Sequence, residues 1–185
     1  MTTKSTKVLF ILLNVLIPLL CSAQFYIDDK MYPSSPTINF SNQKNLADEG
    51  VDIFFIKISE NSGYIGLICN GCAFFNKRYI AGELTLYLSG NVVMKVSPKG
   101  MKKDIVDDIS ISIYPINSDQ IAKLKENEII AIRFKEVSQG FENVPNFVGN
   151  RNRTVSRTRK SPFSIGYDEE KENISTTDLV NNLFE

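Results

Sequence analysis

Leu84, Leu86 and Leu88 alternate with Glu83, Thr85, Tyr87 and Ser89, and beyond Gly90-Asn91 the alternation resumes at Val92, Met94 and Val96. Successive side chains of a strand point to opposite faces, so this two-residue period is that of a half-buried strand. Gly90-Asn91 supplies a tight turn between the runs, and the segment reads as an antiparallel hairpin. Nothing else in the chain narrows the fold as much.

The same period recurs on either side. Ile109, Ile111 and Ile113 alternate with Ser110, Ser112 and Tyr114 in a strand expected to end at Pro115. Ile130, Ile132 and Phe134 alternate with Ala131, Arg133 and Lys135. Val51 to Ser59 and Tyr64 to Cys69 are two more strands, joined by the polar turn Glu60-Asn61-Ser62-Gly63, and Phe74 to Ile80 is a further candidate. Between Pro115 and Glu128 the period lengthens. Ser118 is placed to cap a short helix with Asp119 in its first turn, Ile121 and Leu124 on one face and Asn127 as a left-handed stop. The expected fold class is α+β: a mainly antiparallel sheet or sandwich of about seven short strands, with one helix inserted before the last.

Composition changes at both ends. Lys4 and Lys7 precede the apolar run Val8 to Leu20, and Cys21-Ser22-Ala23 follows with small residues. Positive start, apolar middle and small-residue junction make up a cleavable secretory signal, residues 1–23, with Gln24 as the first mature residue. A membrane span needs about 20 apolar residues, and this run is shorter and holds Asn14 and Pro18, so no transmembrane span is expected in the mature chain. Lipidation at Cys21 is the minor alternative, because Leu20 stands where that processing wants a small residue. Residues 24–50 are rich in Ser, Asn, Asp and Pro and read as a polar lead-in, leaving 51–138 as the β-rich domain. Residues 139–185 read as a mobile polar tail. Ser175 and Asp178 have capping-box spacing there, ahead of a terminal helix carrying Leu179, Val180, Leu183 and Phe184.

The chain contains no His and no Trp. Without His there is no Ser-His or Cys-His nucleophile pair, no His-ligated metal and no ordinary near-neutral proton shuttle. Once the signal and its two lysines leave, 19 basic residues face 21 acids, a net charge of −2 that argues against a nucleic-acid partner.

Two clusters remain with chemical content. Cys69-Asn70-Gly71-Cys72 holds the last two cysteines of the mature chain, a pair expected to be oxidised after export. Asn-Gly is a hairpin turn, so one role is a disulfide clip at a hairpin tip. Thiol-disulfide exchange is the alternative, although the flanks read as strand and lack the helix N-terminus that makes such pairs reactive. Zinc binding would use half a ligand set. The second cluster is Arg151, Arg153, Arg157, Arg159 and Lys160, a basic block that could bind an anionic surface or be a solvated tail neutralised by Asp168-Glu169-Glu170. Asp104, Asp107 and Asp108 do not have the spacing of a calcium loop and read as turn acids. Asn39, Asn152 and Asn173 open glycosylation triplets, which matter only in a eukaryotic host.

Signal, leucine hairpin, Ile-rich strand, the helix after Pro115 and the closing strand Ile129 to Lys135 together resemble small signal-peptide-bearing exported bacterial proteins. That resemblance covers Val51 to Val137 and implies a fold, not site residues. The expectation is a non-catalytic binding or interaction module, periplasmic or extracellular, without a cofactor. Its partner would be another exported protein or an anionic envelope surface.

Overall fold

The computed structural model describes residues 23–41, 50–70, 78–106, 109–140, 151–157 and 174–185. These form eleven strands and two helices: β1 (Ala23–Ile27), β2 (Lys30–Ser34), β3 (Ile38–Ser41), β4 (Val51–Ser59), β5 (Ser62–Asn70), β6 (Arg78–Leu88), β7 (Val92–Val96), β8 (Lys102–Val106), β9 (Ile109–Asn117), α1 (Ser118–Glu126), β10 (Ile129–Ser138), β11 (Arg151–Arg157) and α2 (Thr176–Phe184). Every described strand pairing is antiparallel. The sheet runs β7-β6-β10-β11-β3-β4-β5-β9-β8, with β2 joined to β4 and β1 to β2.

The α+β, mainly antiparallel class holds, but the strands number eleven rather than seven. The additional ones come from segments that the sequence reading set outside the domain. β1, β2 and β3 arise from the polar lead-in. β11 arises from the expected tail and is the strand that joins β10 to β3, so both halves of the sheet depend on it. Polar composition hid it, because each outward side chain of a strand can be polar without cost.

So long a twisted sheet curls on itself. Its two ends meet, among the described residues, through side chains rather than a backbone ladder: Ser112 Oγ on β9 donates to the Ile80 carbonyl on β6 at 2.8 Å. Lys103 on β8 lies over the Tyr79 ring of β6, 3.6 Å from its centroid. The result is a barrel-like shell with one main core inside it, contributed by Phe40, Ile53, Phe55, Leu67, Leu84, Leu86, Tyr114, Ile132, Phe134 and Val155 among others. The Leu84–Leu88 hairpin is as expected, with Gly90 and Asn91 both at positive φ (68° and 61°), the geometry of a turn that matches strand twist.

A second, outer core explains β9. Ile111 and Ile113 face away from the barrel interior, beneath the β1–β2 hairpin, together with Ile27, Phe54 and Ile56. Phe25 of the hairpin packs on Phe54 with ring centroids 5.0 Å apart, and Phe54 in turn covers Gly66, where a Cβ would lie 2.3 Å from the ring. The hairpin tip is tied down by an ion pair from Asp28 to Lys102. With Ile111 and Ile113 committed outward, β9 turns Ser110, Ser112, Tyr114 and Ile116 into the barrel.

The helices close one end. Ile121 and Leu124 of α1 and Leu179, Val180 and Phe184 of α2 enter the main core. α1 begins one residue earlier than expected: Asn117, not Ser118, is the cap, in a reciprocal box with Gln120. Asn127 ends the helix in extended rather than left-handed geometry (φ −132°). α2 is capped as the spacing implies, Ser175 accepting from the amides of Thr177 and Asp178. No helix among the described residues is long and apolar enough to cross a membrane.

Candidate functional site

At the end of the barrel opposite the helices, the inward rows of β6, β9, β10 and β11 change from apolar to polar. The register places Glu136 opposite Ile80, Ser138 opposite Arg78 and Phe134 opposite Arg153. Glu136 is fully buried, a position that strongly disfavours a lone carboxylate. Two guanidiniums compensate it. Arg153 Nη1 pairs with Glu136 Oε1, and Arg78 Nη1 lies 3.4 Å from Oε2. The Arg153 side chain is 9% exposed and that of Arg78 20%, so Arg153 is locked in place and Arg78 lies nearer to solvent. Arg153 is held further by the ring of its ladder partner Phe134, with the guanidinium 5.7 Å from the centroid.

Two guanidiniums thus converge on one buried carboxylate. They leave a donor over, since Arg78 Nε has no hydrogen-bond partner among the described residues. Ser110 Oγ, on the β9 wall of the same end, is likewise buried without a partner among them. Buried polar atoms are ordinarily satisfied, so two such atoms beside an ion triad mark this end as chemically unfinished.

Cys69 faces Ser110 across the β5–β9 ladder and is fully buried. Cys72 lies outside the described residues, as does the tip expected around Asn70-Gly71. The basic block is divided by the fold. Arg153 enters the triad, while Arg157 turns to the helix end, bonding Glu128 at 3.3 Å and the Ile174 carbonyl at 2.5 Å. Arg159, Lys160 and the side chain of Arg151 lie outside the described residues. Arg153 and Arg157 are thus internal ion-pair partners rather than members of one exposed surface. Asp104 accepts from the Ile105 amide, and no carboxylate or thiol group among the described residues is arranged to hold a metal ion.

Glu136, Ser138, Arg78, Ser110 and Ser112 were not singled out from the sequence. The signal for two of them was present: continuing the inward row Ile132, Phe134 by its own period arrives at Glu136 and Ser138. Ile130, by contrast, was expected on that face and is half exposed, because the β6–β10 register shifts between Ile129 and Ala131.

No family model matches this chain, and no curated protein or solved structure is found to be similar to it.

Proposed function

We propose that this chain is a non-catalytic exported binding module that takes an anionic group at the polar end of its barrel. The observation that carries the reading is the buried Arg78–Glu136–Arg153 triad, two guanidiniums on one carboxylate, in which Arg78 Nε has no partner among the described residues and suits an acceptor-rich ligand. A purely structural triad would gain from having its donors consumed internally, and here Arg78 Nε has no acceptor among the described residues. The absence of His removes the usual general base. Thiol exchange through Cys69 and Cys72 is the weaker reading, since a fully buried Cys69 sulfur offers an attacking thiolate no access.

The test titrates the mature protein with inorganic phosphate and with acetate while following the arginine Nε–H resonances. A saturable shift of the Arg78 signal, lost in Arg78→Ala, is the expected result. An Arg78 signal that stays flat through both titrations would overturn the proposal.

A further inference from the structure

We infer that Gln24, once exposed as the first residue, is a modification site that closes to pyroglutamate; the inference rests on the export reading above. The fold leaves that position free to react. The β1–β2 hairpin has a two-residue turn, Asp28-Asp29, both at positive φ, so its closing pair Ile27–Lys30 is the hydrogen-bonded kind. Hydrogen-bonded and open pairs alternate along an antiparallel ladder, which makes Tyr26–Met31 and Gln24–Pro33 open pairs. Pro33 has no N–H to give and fits only such a place. The Gln24 nitrogen therefore points away from β2, toward an edge that no other described strand covers. Its side chain is exposed, on the outward face it shares with Tyr26.

A chain beginning at Gln24 thus carries an α-amine that the ladder does not use, next to its own unencumbered side-chain amide. The neutral amine nitrogen attacks Cδ, the bond from Cδ to the side-chain nitrogen breaks, and that nitrogen leaves with the proton as ammonia. A five-membered lactam remains, and no oxidant or co-reactant is required. Because the attacking amine must be unprotonated, the uncatalysed reaction accelerates as pH rises toward an α-amino pKa of about 8. Cleavage removes the Ala23–Ser34 pair from the hairpin, and cyclisation removes no further ladder bond. The product loses the terminal positive charge and any free amine for an aminopeptidase to grip, which protects an edge strand whose remaining length holds the outer core closed.

The experiment isolates the full-length precursor's exported product, labels free amines, cleaves before aspartate, and sequences by mass the lysine-free N-terminal peptide ending at Ile27. An unlabelled peptide starting at Gln24 and lighter by one ammonia is the expected result. A labelled, uncyclised Gln24 overturns the inference while leaving the export reading intact. A chain starting at Met1 or elsewhere, or lipidated on Cys21, overturns the export reading and the inference with it. In Gln24→Ala the same start should be recovered fully labelled, and a blocked terminus there would assign the block to other chemistry and overturn the inference.

Discussion

The two ends of the barrel are built from the same strands and solve opposite problems. At the helix end, Phe184, Val180, Leu179 and Leu124 fill the interior, and the polar groups sit at the rim, where Glu128 collects the free amides and hydroxyls of Thr176 and Thr177. At the other end the polar groups are inside, and the charge of Glu136 is balanced by arginines held within the shell. One end satisfies its polar atoms and excludes water with apolar bulk. Its opposite holds Arg78 Nε and Ser110 Oγ without partners among the described residues, at a site where an apolar filling would be as stable or more so. Stability alone would select the first arrangement, and the second is the one on which the binding proposal rests.

Glu136→Ala should give the largest effect. It removes the buried carboxylate that two guanidiniums of the barrel wall share, for an expected loss of about 3–5 kcal/mol, measured from the shift of the urea midpoint. The comparison sharpens when all three are replaced at once. Arg78→Met with Glu136→Leu and Arg153→Met should restore most of that stability and abolish the response to phosphate. If the triple variant is as unstable as Glu136→Ala, the triad is a structural element and the contrast between the ends fails.

At the helix end the corresponding change is Phe184→Ala. Phe184 is 3% exposed and lies against Gly63, where an added Cβ would be 2.7 Å from its ring. Truncating it opens a cavity under α2 and should cost about 3 kcal/mol by the same urea measurement, without altering the anion response at the far end.

How much of this the sequence shows depends on what each residue has to report. The Leu84–Val96 hairpin is readable because one face is apolar, the other polar, and the turn residues agree. α2 is readable for the same reason, with cap and apolar face in register. β11 is not, since Arg153 and Arg157 replace the apolar residues that would mark its inward row, and their partners Glu136 and Glu128 are distant in the chain. β9 misleads more subtly. Its alternation is plain, but which side faces the main core depends on the β1–β2 hairpin, a segment that reads as polar lead-in. The site inherits both difficulties, since an ion triad contributed by three strands has no local spacing to betray it.

A smaller effect separates the ends by pH. Burial raises the Glu128 carboxyl pKa, but the hydroxyl and amide hydrogen bonds from Thr176 and Thr177 outweigh it and hold the value below the ordinary 4.5. A carboxyl whose pKa is lower folded than unfolded stabilises fully above the unfolded value, and that contribution disappears as pH falls through the folded one. Amide exchange at Leu179 and Val180 should therefore accelerate below pH 4.5, beyond the intrinsic pH trend. Glu128→Gln should lose this acid dependence and about 1–2 kcal/mol at neutral pH. Unchanged protection of α2 on acidification would show that Glu128 does not hold that end shut.

The smallest expected effect probes the boundary between the two ends. The inward row of β9 passes from Ser110 and Ser112 through Tyr114 to Ile116, from polar to apolar within one strand. Tyr114 is fully buried, its hydroxyl has no hydrogen-bond partner among the described residues, and burial pushes its pKa well above the usual 10.0. A hydroxyl kept from water without a partner is a cost, so Tyr114→Phe should leave stability unchanged or raise it by up to about 1 kcal/mol. A loss of that size instead would mean that the hydroxyl is satisfied, by ordered water or by a group reaching down from the polar end. The polar region would then extend past Tyr114 to the middle of the barrel. Repeating the urea measurement with saturating phosphate distinguishes those cases, because a ligand-side partner would make the Tyr114→Phe penalty grow with anion concentration and a structural water would not.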